Sequence, residues 1–515
     1  MLNPLKRSSF RGVEHLDPFD VAVQPQSQRT RSLNTSIIEP GRNAWATATA
    51  NHLAFLIDGA AYFRELVAVL PLAQKEIWII GWDFDPDIRL TPGEEDSHTL
   101  GDFLQAQLDS KPDLQIRILV WAMGPVYSGK SLKLFQREGF LAHERVRIEF
   151  DGRHPLWGSH HQKVVVIDDA LAFVGGIDLT ARRWDDGRHL PSNPLRVSPD
   201  GKPYEPVHDL QVMVDGEAAR RLGDIARRRW GRATRELVRQ PPETTELWPS
   251  ERPADLCNCR VGISLTEPET RRSKALAQST QLAQDAIARG RGCIYIEAQY
   301  LASFGVAEAL EKRLAEEDGP EIVIVVTRIS HGFLEKLFMG KNRDRIIRRL
   351  KRSDVRDRLW VMYAVVPDEK GEEQEILVHS KLLIVDDIFV RIGSSNLNNR
   401  SEGLDTEADL SIEAYRPEER EAIAHLRHRL IAEHTAGEAA AIAATFASCG
   451  SLMRTIETHN TNRRGLRHFD VDVSKGAVNP VAGTAIIDPP RPFRPLGTLR
   501  DHVQQVGSRL LGMFV

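Results

Sequence analysis

HHQKVVVIDDALAFVGGIDL (residues 160–179) and VHSKLLIVDDIFVRIGSSNL (378–397) match position for position without a gap. Each carries His-x-Lys, an apolar run, Asp-Asp, a second apolar run and a turn of small residues. Short apolar runs rich in β-branched residues predict buried strands, so each copy reads as two strands joined at Asp-Asp. Two copies of one polar motif predict a duplicated unit, with one site at the interface of the halves near a pseudo-two-fold axis.

The flanks repeat in the same order. HLAFLIDGAAYFRELVAVLPLAQ (52–74) has apolar residues at helical spacing, EIWIIGW (76–82) predicts a strand and TLGDFLQAQLD (99–109) a helix. QIRILVW (115–121) and RVRIEF (145–150) read as strands around the helical SLKLFQREGF, and DLQVMVDG (209–216) as a strand before the helix at 217–230. After the proline-rich QPPETTELWPSERPADL (240–256), strands are predicted at 293–300, 321–327, 358–366 and 409–415, with helices at 306–314 and 417–434. The expected architecture is α/β: two similar halves, each a mixed β-sheet flanked by helices, packed as one pseudo-two-fold unit. Its parts are a polar arm (1–43), a first half (44–239), a linker (240–256), a second half (257–450) and a C-terminal extension (451–515).

The repeated motif has a chemical reading of its own. His161 and Lys163 stand two apart, so a strand would point both to one face, with Asp168 beyond the VVVI run; His379, Lys381 and Asp386 repeat the arrangement. Two ammonium groups neutralise phosphate oxygens, and histidine titrates near neutral pH. One imidazole could attack phosphorus while the other protonates the leaving oxygen, and the lysines would supply the electrostatic stabilisation without a metal.

Paired H-x-K-x4-D motifs resemble those of the phospholipase D superfamily. The likeness extends to RRWDDGRH (182–189), PVHDLQVMVDG (206–216), IYIEAQY (294–300), GSSNLNNRSEGLDTE (393–407) and IWIIGWDFDPDIRL (77–90), covering about residues 50–435. It implies a phosphodiesterase acting on glycerophospholipids through a phosphohistidine, by hydrolysis or transphosphatidylation. His161 would be the nucleophile and His379 the acid/base, Lys163 and Lys381 would bind phosphoryl oxygens, and Asp168 and Asp386 would shape each motif. Asp178 and Asn396 would lie near the phosphate, and Asp209 and Glu407 would stand behind the imidazoles. No cofactor or metal is expected. The expected partner is a phospholipid at a membrane surface, with no stable nucleic acid, and the chain is expected to be a monomer. Asn398-Asn399-Arg400-Ser401 replaces the Asp before Arg-Ser usual in cardiolipin synthases, which weakens that reading.

Composition narrows the classes further. Hydrophobic residues make up 41% and charged residues 27% of the 515, which predicts a packed protein rather than a disordered one. Lys+Arg is 68 and Asp+Glu 72, a net charge of −4 that excludes a globally basic nucleic-acid binder. Four cysteines without a CxxC pair predict free buried thiols, not a disulfide scaffold or zinc site. MLNPLKRSSFRGVEHLDPFD lacks the apolar run of a signal peptide, and no stretch reaches membrane-spanning length; a cytoplasmic protein or signal-independent export is expected.

Three rival signals remain. A nuclease would use the same chemistry on another phosphodiester. GPVYSGKS (124–131) fits a P-loop, but Pro125 removes a donor where a phosphate cradle needs one. His154, His160 and His161 are not expected to form a metal cluster, since neighbours on a strand face opposite ways, and His160 is expected to support the motif from behind. KNRDRIIRRLKR (341–352) reads as a solvated basic helix face, with contact to anionic lipid or a nucleic-acid backbone as the alternative.

Overall fold

The computed structural model describes residues 36–95, 97–124, 138–155, 158–242, 246–270, 273–329, 339–461, 463–484 and 488–492, and the structural statements below concern these. In the first half the strands are β1 (Ala46–Ile57), β2 (Glu76–Gly81), β3 (Gln115–Trp121), β4 (Val146–Asp151), β5 (Val164–Ile167), β6 (Leu171–Gly175), β7 (Val207–His208) and β8 (Leu210–Asp215). The second half contains β9 (Leu256–Glu267), β10 (Leu276–Ala277), β11 (Cys293–Ala298), β12 (Glu321–Val326), β13 (Leu359–Pro367), β14 (Glu373–Glu375), β15 (Leu377–Val378), β16 (Lys381–Val385), β17 (Phe389–Gly393) and β18 (Glu407–Glu413), with β19 (Gly465–His468) later.

Hydrogen-bonded neighbours in the first half run β4–β3–β2–β5–β6–β8–β1. The second half runs β13–β12–β11–β16–β17–β18–β9. The order is the same, and in both the three outer strands are parallel and the rest antiparallel. Antiparallel pairing of β1 with β9, from Ala46↔Ile263 to Leu53↔Leu256, joins the halves into one ladder. The two-halves expectation therefore holds, with the addition that the halves share a sheet.

Helices cover the outer faces. α1 (Asp58–Val69) and α2 (Leu100–Ser110) bury Phe63, Leu66, Leu104 and Leu108 against Ile77, Ile116, Val165 and Phe173. After α3 (Gly216–Thr234), α4 (Gln278–Ile287), α5 (Phe304–Ala315) and α6 (Lys341–Ser353) do the same for Ile294, Ile324, Val361 and Leu383. The inner faces of both halves form the central core with α3 and, beyond the short α7 (Asn399–Gly403), with α8 (Pro417–Thr435). Trp78 packs edge-on against Trp230 of α3 there, ring centroids 5.6 Å apart. Alternate residues of one strand thus serve two cores, which is why these strands read as continuous apolar runs. α9 (Ala439–Cys449) and α10 (Leu452–His459) follow α8.

Three expectations need correction. The helix read over 52–74 begins only at Asp58, because Leu53 is paired on both sides, with Val214 of β8 and Leu256 of β9. Asp58 takes a positive φ of 68°, and its N–H bonds Asp209 O at 2.8 Å, which turns the chain out of the sheet. The basic face of α6 is not an open patch: Arg345, Arg348, Lys351 and Arg352 donate to backbone carbonyls of Asn479, Asp472, Ala477, Phe469, Val473 and Gly476. These side chains hold the segment that follows β19 against α6. The cysteines are free as expected, but Cys257 is exposed and Cys449 half-buried. No helix among the described residues is long and apolar enough to cross a membrane. The P-loop-like stretch lies outside the described residues from Pro125 onward, as do residues 131–137 of the helix expected before Phe140, and residues 1–35.

Candidate active site

Each motif enters its hairpin by the same local route. The turn between β5 and β6 places Asp168 and Asp169 at φ of 51° and 55°, and Asp386 sits at 50°. Aspartate tolerates this left-handed region better than most residues. His161, Lys163 and His379 lie in extended lead-ins just before β5 and β16 rather than within regular strands, while Lys381 opens β16.

The lead-ins cross between halves. His379 N–H donates to His208 O at 2.8 Å, beside the β7–β15 pairing, and His161 N–H donates to Thr406 O at 3.1 Å. His208 and Thr406 each precede a carboxylate, and the crossing puts that carboxylate behind the other half's imidazole. His161 Nδ1 lies 2.9 Å from Glu407 Oε2, and His379 Nδ1 lies 2.6 Å from Asp209 Oδ2. The four side chains are buried, with 16% of His161 and 8% of His379 still open. With Nδ1 held by a carboxylate, Nε2 is the nitrogen each ring presents to a substrate.

The two pairs are not electrostatic copies. Burial, opposed by donors Ser394 Oγ at 2.6 Å and Ser401 Oγ at 2.7 Å, pushes Glu407 well above the usual carboxylate range, and Asp405 adds to the rise. Asp209 is equally buried, yet His379 and Lys381 beside it bring it below its ordinary value. Gly176 makes room for it: a Cβ there would meet Asp209 Oδ1 at 2.1 Å. Ser394 occupies the matching place in the second half, where the longer Glu407 accepts its hydroxyl. Both imidazoles lie well below the ordinary histidine value through burial and then the lysine charges, so both rest neutral.

The lysines fold back over their own histidines. Lys163 Nζ lies 3.2 Å from His161 O and 2.9 Å from Asp178 Oδ2, while Asp178 Oδ1 accepts Trp82 N–H at 2.8 Å. Lys381 Nζ donates to His379 O and, at 3.2 Å, to Gln299 Oε1. Lys163 thus faces an anion and Lys381 a neutral amide. Burial and the Lys163 charge, against the pull of Asp209, bring Lys381 down to about 7.

Asp168 and Asp386 are elsewhere. Asp168 accepts the N–H groups of Gln74, Lys75 and Glu76 at 2.6–2.8 Å, and Asp386 those of Arg291, Gly292 and Cys293 at 2.7–2.8 Å. Each caps the start of the adjoining strand, five residues or roughly 16 Å along the chain from its lysine. They fasten the hairpins and do not enter the pocket. Removing a buried acceptor of three N–H groups leaves all three unsatisfied. Asp168, 1% exposed, is the buried one of the two, and Asp168→Ala is therefore expected to lower stability by about 2–4 kcal/mol, read from urea unfolding, without changing kcat of the folded enzyme; an unchanged unfolding midpoint would refute this role.

Asn396 is half-buried beyond β17, its N–H donating to Ser401 Oγ at 3.2 Å and its Oδ1 buried with no hydrogen-bond partner among the described residues. Reasoning from sequence singled out neither Gln299, Ser394, Ser401 nor Arg183. All four stand inside stretches quoted for the family likeness, and only the fold shows that Gln299 reaches Lys381 and that Arg183 acts electrostatically on His379 and Lys381. His160 is fully buried behind the motif, 3.7 Å from Asp151, and burial lowers it to about 3. His154 accepts Trp121 Nε1–H at 2.8 Å, so the three histidines do not converge.

Comparison with known proteins gives the family. Residues 69–313 and 357–471 match the family model described as Phospholipase D. Phospholipase D A of Dictyostelium discoideum is 24% identical over 406 residues, 67% of this chain and 31% of that protein. Phospholipase D2 of Bos taurus is 24% identical over 454 residues, 67% of this chain and 47% of the relative. The chain thus spans less than half the length of these curated relatives. Among solved structures, a phosphatidylserine synthase of Haemophilus influenzae aligns over 74% of this chain and 86% of that one, with 14% identity and a TM-score of 0.49. With the family model matching well over half its length on both sides of the duplication, the chain belongs to the phospholipase D family.

Proposed function

We propose that the chain is a phosphodiesterase of the phospholipase D type, acting on glycerophospholipids by two displacements at His161. The observation that carries this is the crossed pair of imidazole–carboxylate contacts, with a buried lysine at each. The relatives' names supply the lipid class. A recess of about 650 Å³ lined by Phe63, Arg182, Arg183, Leu195, Val197 and Tyr204 mixes cationic and apolar surface, and its Arg183 acts electrostatically on His379 and Lys381.

In the first step His161 Nε2 attacks phosphorus, an N–P bond forms, and the P–O bond to the head group breaks. The proton needed by the leaving alkoxide comes from His379, which the substrate's negative charge and Asp209 favour in its protonated form. In the second step His379 takes a proton from water or an alcohol, whose oxygen attacks phosphorus as the P–N bond breaks. Phosphatidic acid or its ester is released. Lys163 and Lys381 offset the charge on the phosphoryl oxygens throughout. The asymmetry of the carboxylates supports this division of roles. Anionic Asp209 makes His379 the better proton carrier, whereas Glu407, drawn toward its uncharged form by burial, leaves His161 a better leaving group from phosphorus.

Mixed vesicles of phosphatidylcholine, phosphatidylethanolamine and phosphatidylglycerol, with EDTA and a little ethanol, test the reading. Phosphatidic acid and phosphatidylethanol are expected. Intact lipid, with cleavage of DNA or RNA in a parallel reaction, would overturn it.

The lysine adds a pH dependence. Lys381 is charged below about 7 and neutral above it. Phosphate capture needs the charged form, so kcat/KM is expected to fall as pH rises through about 7, because this parameter reports free-enzyme groups. A flat alkaline limb up to pH of about 9 would contradict the placement of Lys381.

A further inference from the structure

Directly behind His379 lies a second group of buried side chains that the two-step chemistry does not use. Asp58 opens α1, His189 ends the RRWDDGRH stretch, His208 lies on β7, and Glu433 reaches in from α8 in the other half. One ligand atom from each lies within 4.8 Å of all the others.

The spacing is that of a coordination sphere. His208 Nδ1 is 3.0 Å from Asp58 Oδ1 and 2.8 Å from Glu433 Oε1; His189 Nε2 is 3.1 Å from Glu433 Oε1 and 3.4 Å from Asp58 Oδ2. A tetrahedron with metal–ligand bonds of ~2.0–2.1 Å has edges of about 3.3 Å. His208 Nδ1 and Asp58 Oδ2 are fully buried, and neither has a partner in hydrogen-bonding geometry.

Outer contacts fix both rings. His189 Nδ1 lies 2.9 Å from Asp185 Oδ2, and Asp185 Oδ1 accepts Arg196 at 3.0 Å. His208 Nε2 lies 3.0 Å from Glu297 Oε2, and Glu297 also takes Tyr295 Oη–H at 2.7 Å and Ser380 Oγ–H at 2.9 Å. A carboxylate on the far nitrogen of each imidazole is the usual support of a metal-binding histidine. Asp58, Glu433, Asp185 and Glu297 are four carboxylates, faced by the guanidiniums of Arg196 and Arg464. This leaves the group at a formal −2 around the two imidazoles, a charge that either one divalent cation or one proton on each imidazole balances.

We propose that Asp58, His189, His208 and Glu433 form a closed tetrahedral site for a divalent first-row metal ion, zinc by its two-nitrogen, two-carboxylate donor set, which ties α8 of the second half to the loops of the first. All four positions are protein ligands, so the ion is structural and takes no part in the displacement. The site holds His208, whose carbonyl receives His379 N–H, and so stiffens the base of one catalytic imidazole.

The test is elemental analysis of the full chain, purified without an affinity tag after growth with zinc. About one zinc per chain is expected in the wild type and less than about a tenth in folded Glu433→Gln or His189→Asn. Zinc added to chelator-stripped wild type should raise its thermal midpoint, an effect absent in the variants. Two outcomes overturn the proposal. One is folded wild type with less than about a tenth of an equivalent of any divalent metal and no midpoint shift on adding zinc, because two protons on the histidines then balance the carboxylates. The other is full zinc content in either variant. If the variants fail to fold, the wild-type measurements decide alone.

Discussion

The His161→Asn enzyme is expected to lose lipid turnover by about 10⁴-fold or more, because no other group can form the bond to phosphorus. His379→Asn is expected to cost less, about 10²–10⁴-fold, since it removes proton transfer alone. The two variants part company on a substrate that needs no protonation. With a nitrophenyl phosphodiester, whose phenolate leaves unaided, His379→Asn should still release nitrophenolate in a first turnover and stall with phosphorus on His161. His161→Asn should stay inactive on both substrates. A burst from His161→Asn instead would exchange the roles of the two histidines.

Asp209→Asn is the second large effect. Asp209 is an anion that takes the Nδ1–H of His379 and supports the charge the ring gains on protonation. An asparagine can present its NH₂ there and favour the wrong tautomer, so kcat is expected to drop by about 10³–10⁴-fold with KM little changed. Glu407→Gln should cost far less, about tenfold, because burial and the Asp405 charge, against the Ser394 and Ser401 donors, already favour the uncharged form of Glu407. Steady-state kinetics of the two variants checks this. Equal losses would mean that both carboxylates are charged in the working enzyme.

How far the sequence carried the fold can be read from particular residues. The strands flanking Asp168-Asp169 and Asp386-Asp387 were legible because apolar runs of four or five residues between turn-forming aspartates fit little else. β1 was missed because HLAFLI suits either period, and what decides is its pairing with β8 and β9, partners far along the chain. β9 received no assignment for the same reason, although it joins the halves. At the site, His161, Lys163, His379 and Lys381 were marked by the repeat itself. The pairing of His161 with Glu407 and of His379 with Asp209 was not, since it depends on lead-ins that cross between halves. Asp168 and Asp386 share the motif yet serve backbone N–H groups at the far end of the strand, because a motif records sequence spacing and not the end of the strand at which each residue acts. The Asp58, His189, His208 and Glu433 group draws on four separated segments and leaves no spacing to recognise.

The central claim is that phosphorus passes through the imidazole of His161, backed by a carboxylate from the other half. The P–N bond is labile to acid and the acyl esters to alkali, so turnover of a short-chain phosphatidylcholine should be quenched with denaturant near neutral pH and the peptides mass-analysed at once. The account predicts a phosphatidyl adduct on the peptide carrying His161, absent in His161→Asn and accumulating in His379→Asn on an activated substrate. Turnover with no adduct on either histidine, or with the adduct on His379, would contradict it.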